Sequence, residues 1–390
     1  MISLPSAFLR LAAATLPFVS AAAIAVGPEQ ALSGVLEAIE ANRPDIAMQR
    51  VEALIAAHPN FRLAHLIRGD LLLARARPLE TFGNVPKTVP REKVEDLRAE
   101  ALLRMRAYRD RPNGERVPRY ILQLNAEQKH ALVVDSRRSR LYVFENVAGR
   151  PQYVADYYVT LGKNGVEKTR EGDQKTPIGV YHVTANLPRQ KLADFYGAGA
   201  FPINYPNAWD KRMGRNGHGI WLHGTPSDTY SRPPRASDGC IVLANTDLEA
   251  VGKSLQIGLT PVIIADEIQW TDANTLEADR KSLADTFEAW RAAWERRDTE
   301  RYLGHYAARF RSEDQNLAQW SEHKRKVNGA KSWIKVAVSE VAMLQDPREN
   351  FVVVSFEQDY RSSNLSNVMR KRQYWIKNDG RWRILYEGGA

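Results

Sequence analysis

The chain contains a single cysteine, Cys240, and a lone thiol is a candidate nucleophile. A thiol attacks carbonyl carbon as its thiolate, so at neutral pH it needs a neighbouring base. His223, upstream of the cysteine, is the candidate base. Short apolar runs flank both residues, at 220–222 before the histidine and at 241–243 after the cysteine. This pattern predicts two strand ends that meet at one rim, with a loop between them.

The residues just before the cysteine, Ser237, Asp238 and Gly239, predict a tight turn. Attack by the thiolate on an amide produces an oxyanion, which backbone N–H groups of such a turn can stabilise by about 3 to 4 kcal/mol per donor. His223 would accept the thiol proton and return it to the departing amine. Either a second amine or water then resolves the thioester, and the cysteine and histidine alone do not determine which.

The composition of the chain and its first residues indicate how many domains it forms and in which cellular compartment it acts. With 390 residues, 44% of them hydrophobic, the chain is expected to form two or three globular domains. Its net charge of +9 is spread over all regions without a basic run, so we expect no nucleic-acid partner. Residues 1–25 combine Arg10 with an apolar run and small-residue triplets, which predicts a signal peptide or, alternatively, an uncleaved membrane anchor. An exported chain with one cysteine cannot form an intrachain disulfide, which favours a chemical role for Cys240.

Residues 26–118 show helical periodicity, as in Leu32, Val35, Leu36 and Ile39. The spacing is similar to tetratricopeptide repeats, but the segment is too short for a self-sufficient array, so we expect packed helical hairpins. The last helix of this region, at 91–109, is highly charged and is expected to dock on the next domain or on a second copy of the protein. A homodimer through these helices or through the C-terminal domain is therefore one expectation.

Strand patterns begin near residue 119 and continue to 267. A short polar segment, 268–275, is expected to be a linker. The third region, 276–390, starts with a helical face made by Leu283, Phe287, Trp290 and Trp294 and continues as a meander of strands. An Asn378-Asp379-Gly380 turn joins the last two strands. Helices followed by a meander predict an α+β cone.

Four motifs in order carry a family resemblance: Gly172-Asp-Gln-Lys-Thr-Pro-Ile-Gly-Val-Tyr, Trp221-Leu-His-Gly, Ser237-Asp-Gly-Cys-Ile-Val-Leu and Thr260-Pro-Val-Ile-Ile. Over 119–267 the chain resembles the L,D-transpeptidase (YkuD) catalytic domain. The resemblance implies a β-rich, sandwich-like fold in an exported, periplasmic enzyme that acts on peptidoglycan stem peptides without a cofactor. It also implies that Cys240 is the nucleophile and His223 the base, with Gly239 and the Cys240 amide at the oxyanion position.

The C-terminal region resembles the nuclear-transport-factor-2-like (SnoaL) fold, notably at 289–298 and 374–384. The whole arrangement is similar to the subgroup that includes cell-shape-determining L,D-carboxypeptidases. We therefore expect L,D-transpeptidation, with carboxypeptidase or amidase activity as the alternative reaction. The alternative from another functional class is a non-catalytic scaffold protein of the cell envelope.

Two positions depart from the common family pattern: Asp238 stands where many members have histidine, and Val242 where many have arginine or asparagine. Asp238 either stiffens the turn through an Asx-type bond to the backbone or repels a terminal carboxylate of the substrate. We expect a backbone carbonyl, such as that of Gly224, to orient the His223 ring. Further candidates for substrate contact are His218, Gly224, Trp221, Tyr181 and Arg215.

A zinc site is the competing interpretation of the same residues. His218, His223, Asp238 and Cys240 include suitable ligand types. The sequence has no His-x-x-x-His helix motif with a Glu-x-x-His partner, so we expect neither a metal nor a cofactor.

Overall fold

The computed structural model describes residues 27–86, 88–110 and 116–389; the segment 1–25, predicted to be a signal peptide, lies outside these ranges. The described residues fold into a helical region, a β-rich domain and a C-terminal α+β cone, in chain order, which confirms the predicted fold class. In these ranges no helix has the length and apolar character needed to cross a membrane.

The helical region packs its apolar stripes against each other and against the next domain. Its core includes Leu32, Val35 and Phe61, and the same cluster takes in Tyr230 and Ala244 from the β-rich domain. Ala101 of the charged helix belongs to this cluster, so that helix packs on the next domain, the first of its two predicted positions. The helices are α1 (Pro28–Glu40), α2 (Pro44–Ala57), α3 (Arg62–Ala74) and α4 (Arg91–Arg109).

The β-rich domain is built on a sheet that is apolar on both faces. Leu132 and Val134 face one core cluster, whereas Ala131 and Val133 face another, because successive side chains of a strand point to opposite sides. The elements are β3 (His130–Asp135), β4 (Arg140–Val147), β5 (Arg150–Tyr158), β6 (Leu161–Gly162), β7 (Gly179–His182), β8 (Leu187–Pro188), β9 (Gly199–Pro202), α5 (Ala208–Arg212), β10 (Trp221–His223), β11 (Arg235–Ser237), β12 (Ile241–Val242), α6 (Asn245–Gly252) and β13 (Pro261–Ala265).

Within the described residues, the main sheet has the order β5-β4-β3-β13-β7, and a second sheet has the order β12-β10-β9-β8. A core that includes Leu132, Tyr181 and Leu222 fills the space between the two sheets. The second sheet carries the candidate site.

The C-terminal cone wraps a long antiparallel meander around the predicted helical face. Phe287, Trp290 and Trp294 are buried against this sheet. Asp379 and Gly380 both have positive φ, 46° and 73°, as the predicted hairpin turn requires. The elements are α7 (Ala273–Glu295), α8 (Thr299–Leu303), β15 (Tyr306–Arg311), α9 (Leu317–Gly329), β16 (Ile334–Gln345), β17 (Phe351–Ser362), β18 (Leu365–Asn378) and β19 (Arg381–Gly389).

The structure shifts the expected domain boundaries. The strand β2 (Ile121–Gln123) pairs with β16 at the edge of the cone's sheet, rather than with the β-rich domain. The strand β1 (Arg116–Pro118) pairs with β14 (Trp270–Asp272), so the segment predicted as a linker forms regular structure. An exposed sheet edge leaves backbone groups unpaired, and a short apolar strand such as 121–123 satisfies and covers them. The β-rich domain and the cone are thereby joined on two sides.

Candidate active site

Strand pairing brings the cysteine and the histidine together. The strands β10 and β12 run parallel, with Leu222 opposite Ile241 and His223 opposite Val242. Continuing this register by one residue places Cys240 opposite Trp221. Side chains two apart on a strand share a face, so His223 and Cys240 are diagonal neighbours on one face of the sheet. The predicted meeting of two strand ends is confirmed.

The imidazole of His223 is held in one orientation. The residue is 1% exposed, and its Nδ1 lies 2.7 Å from the carbonyl oxygen of Gly224, as expected. Its ring packs at centroid distances of 5.2 Å from Tyr196 and 5.7 Å from Phe195. Since a neutral carbonyl accepts only an N–H, Nδ1 carries the proton and Nε2 is the nitrogen that can accept one. Burial lowers the pKa of His223 to about 4, so the imidazole is neutral at neutral pH.

The thiol of Cys240 is also held in its neutral form. Its Sγ lies 3.3 Å from the carbonyl oxygen of Gly219. Burial raises the pKa of the thiol to about 11, although the backbone N–H of Trp221 and the charge of Arg232 act in the opposite direction. The free site therefore holds a thiol beside a neutral imidazole. In this arrangement His223 can act as a general base that takes the thiol proton while the sulfur attacks.

The turn before Cys240 is held by hydroxyl groups. Ser237 Oγ donates to the Cys240 carbonyl oxygen at 2.7 Å and accepts the Gly239 N–H at 3.1 Å. Thr176 Oγ1 donates to the Gly239 carbonyl oxygen at 3.0 Å. Gly239 has φ +123°, and a Cβ there would lie 2.6 Å from the Lys175 carbonyl oxygen, so only glycine fits.

This hydrogen-bond pattern corrects one expectation. Because the Gly239 N–H is already used inside the turn, Gly239 shapes the turn and does not supply an oxyanion donor. The Cys240 amide remains the candidate donor from this segment.

Asp238 points away from the backbone of its own turn. Its Oδ1 lies 2.9 Å from Lys163 Nζ and 3.2 Å from Gln174 Nε2, and its side chain is 67% exposed. The side-chain hydrogen bonds to the turn backbone that were one expectation for Asp238 are made by Ser237 instead. Lys163 compensates the negative charge of Asp238, which weakens the alternative expectation that this carboxylate repels a substrate.

Of the residues suggested for substrate contact, Trp221 lies at the site. It is partly buried, and its ring packs at a tilt against Tyr196, with the centroids 5.0 Å apart. Gly224 borders the site, but its constraint is steric, since a Cβ there would lie 2.1 Å from Asn245 Oδ1. The side chain of His218 is 81% exposed and lies 3.2 Å from Glu171 Oε1, in the segment before β10.

Two suggested residues are not at the site. Tyr181 is fully buried, and its hydroxyl donates to the Ile178 carbonyl oxygen at 3.0 Å, so this ring belongs to the core between the sheets. Arg215 lies 3.1 Å from Asp210 and 3.5 Å from Glu349 of the cone, where it joins the two domains. Residue type alone could not distinguish these positions from the site.

Sequence reasoning also missed two residues that the fold brings to the site. Thr176, from the Thr-Pro-Ile-Gly motif, supports the cysteine turn, and its place in that motif was an available signal. Arg232 lies in the loop between β10 and β11, and its charge acts on both Cys240 and His223. No sequence signal separates Arg232 from its neighbour Arg235. Across the described ranges, no group of three or more His, Cys, Asp or Glu side chains is arranged to hold a metal ion.

Comparison with known proteins agrees with this geometry. The family model for the L,D-transpeptidase (YkuD) catalytic domain matches residues 129–264, and the model for the Cds6 C-terminal NTF2-like domain matches 282–388. No curated protein sequence matches significantly.

Solved structures match over most of the chain. The structure of Bd1075 from Bdellovibrio bacteriovorus is 30% identical with a TM-score of 0.62, over 70% of this chain and 98% of that one. The helical cell shape determining protein Pgp2 from Campylobacter jejuni is 26% identical with a TM-score of 0.59, over 69% of this chain and 95% of that one. The chain therefore belongs to the L,D-transpeptidase (YkuD) family of peptidoglycan-acting enzymes and carries a C-terminal NTF2-like domain.

Proposed function

We propose that this protein remodels peptidoglycan stem peptides by acyl transfer through a thioester on Cys240, as an L,D-transpeptidase. The observation that carries the proposal is the arrangement of a buried, neutral His223 on the same sheet face as the only thiol of the chain. A neutral imidazole with Nδ1 held by a carbonyl is ready to act as a base through Nε2.

The first half of the reaction consumes the donor peptide. Sγ of Cys240 bonds to the carbonyl carbon of the bond between an L-centre and a terminal D-amino acid, while His223 Nε2 takes the thiol proton. The Cys240 amide donates to the oxyanion. The C–N bond then breaks, the leaving amine takes the proton from His223, and the peptide remains as a thioester on sulfur.

The second half returns the enzyme to its starting state. An amine of a second stem peptide bonds to the thioester carbon and gives a proton to His223. The C–S bond breaks, and sulfur recovers that proton as the new amide leaves. If water attacks instead, the same steps give a free carboxylate and a shortened stem, which is L,D-carboxypeptidase activity.

Hydrolysis is the second candidate reaction, and the comparisons favour it in one respect. The chain is similar over nearly the whole length of Pgp2, a helical cell shape determining protein. Stem shortening alters cross-linking without new bonds and is one way in which an enzyme changes cell shape.

Mass spectrometry of purified muropeptides incubated with the protein tests both candidates. Cross-linked dimers or exchanged terminal residues support transfer, whereas shortened stems support hydrolysis. Cys240→Ala is the matched control, and it should produce neither. If the wild-type protein is folded but leaves the muropeptides unchanged, it is not an enzyme of this class, and the envelope-scaffold alternative gains support.

We further propose that the protein is exported to the periplasm through residues 1–25. A fusion of this segment to alkaline phosphatase, which is active only outside the cytoplasm, should be active. An inactive but expressed fusion would contradict export. Association into a homodimer stays a prediction, which sedimentation of the purified protein would test.

A further inference from the structure

The loop between β10 and β11 places Arg232 near the candidate nucleophile, where its charge acts on Cys240. The Arg232 carbonyl oxygen accepts hydrogen bonds from Tyr158 Oη and Thr160 Oγ1, both at 3.0 Å. The Thr160 main chain in turn exchanges hydrogen bonds of 2.9 Å with Val242, two residues after the cysteine. The backbone of Arg232 is therefore linked, through Thr160, to the short strand that directly follows Cys240.

The side chain of Arg232 is oriented by an aromatic ring of the site. Its Cζ lies 4.5 Å from the centroid of Phe195, whose ring packs against His223. Arg232 is partly buried, so its charge is only partly hydrated. In the described ranges no carboxylate pairs with this guanidinium; Asp238, which acts on it electrostatically, pairs with Lys163.

A partly buried cation without a counter-ion is costly unless an anion joins it. A guanidinium with open N–H groups matches a carboxylate in two-point geometry. The site therefore has an unmet requirement for an anionic group close to the nucleophile.

We propose that Arg232 binds the terminal α-carboxylate of the donor stem peptide and so selects stems that end one residue after the scissile bond. This inference rests on the proposed function. In such a donor, three bonds separate the scissile carbonyl carbon from the terminal carboxyl carbon, which places them about 3–4 Å apart. A group that binds this carboxylate must therefore lie near the nucleophile, and Arg232 packs on Phe195, which in turn packs on His223.

The N-terminal helices support this loop from outside. The ring of Tyr230 lies 4.2 Å from that of Phe61 and 5.1 Å from that of His58. Ser231 Oγ donates to Glu100 Oε1 at 2.7 Å. Both contacts come from the two residues just before Arg232, so the helical region helps to position Arg232.

The test compares two donors that differ only at their C-terminus: a tetrapeptide stem with a free carboxylate and the same peptide as its carboxamide. The wild-type protein should use the carboxamide with a kcat/KM about 10- to 100-fold lower, as expected for a lost charge-assisted contact. In Arg232→Gln the ratio of the two kcat/KM values should fall close to one. Because both donors use the same thiol, this ratio cancels any effect of Arg232 on Cys240 itself.

Arg235→Gln is the matched control, since Arg235 lies in the adjoining strand and donates to Ser136 instead, at 3.1 and 3.2 Å. This variant should keep the wild-type ratio. Arg232→Lys keeps the positive charge but loses the two-point geometry of the guanidinium, so it should give an intermediate ratio. This variant replaces Arg232→Gln in the test if the glutamine variant does not fold.

The outcomes separate the two proposals. If the wild-type protein acylates Cys240 with neither donor, the proposed function fails, and this inference fails with it. If the wild-type protein uses both donors equally well, or if the Arg232 variants keep the full preference, the proposed function stands and carboxylate binding by Arg232 is wrong.

Discussion

The ionisation state of Cys240 gives a prediction that needs no substrate. Burial raises the pKa of the thiol from 9.0 to about 11, so at pH 7.5 the folded protein holds about 100-fold less thiolate than an ordinary cysteine. A thiolate of higher pKa is the stronger nucleophile, by about tenfold for a pKa difference of two. Alkylation of Cys240 by iodoacetamide should therefore be about tenfold slower in the folded protein than in urea.

The pH profile carries more information than the single rate. With a pKa near 11, the rate should rise about tenfold per pH unit from pH 7 to pH 10. The assay is intact-mass spectrometry, which is unambiguous because the chain has one cysteine. His223→Gln should leave this profile unchanged above pH 6, because the imidazole is already neutral there, while peptide turnover falls by about 100-fold or more.

One result would refute this reasoning. A rate that is already on a plateau between pH 6 and pH 8, and that loses the plateau in His223→Gln, would mean a preformed thiolate–imidazolium pair. Cys240 would then be activated before substrate binds, contrary to the effect of burial on both groups.

Two further predictions concern the turn and the domain contact. Gly239→Ala should abolish turnover, because the new Cβ would lie 2.6 Å from the Lys175 carbonyl oxygen; Gly165→Ala, also at positive φ but in open space, should keep most activity in the muropeptide assay. Equal losses in both variants would contradict the steric account. Trp209→Ala should lower the free energy of unfolding by about 3–5 kcal/mol in a denaturant titration, because its ring is buried against aromatic rings of the cone. Trp333→Ala is the control, since Trp333 is 46% exposed. A similar loss of stability in this variant would contradict the role of the buried domain contact.

The chemistry of the site was readable from the sequence because nearby residues define it. Cys240 and His223 lie next to short apolar strands, and such runs pair whenever a partner strand is close. The Ser-Asp-Gly-Cys motif also builds its turn from neighbouring residues, whereas Thr176 supports that turn from 63 residues away in the chain. For the same reason the amphipathic helices and the Asn-Asp-Gly hairpin were predicted correctly, since periodicity and turn chemistry are local properties.

Contacts between distant segments were decided only by the tertiary structure. Tyr181 and Arg215 are residue types that often bind substrates. Tyr181 lies in the core between two sheets, however, and Arg215 joins two domains. The strand at 121–123 completes the cone's sheet although more than 200 residues separate it from β16 in the chain. Arg232 reaches the site because Thr160 and the N-terminal helices hold its loop there. Residue types indicated a thiol and an imidazole as the reacting pair, whereas the packing of remote segments decided which charges surround the thiol, since burial and electrostatics depend on neighbours in space.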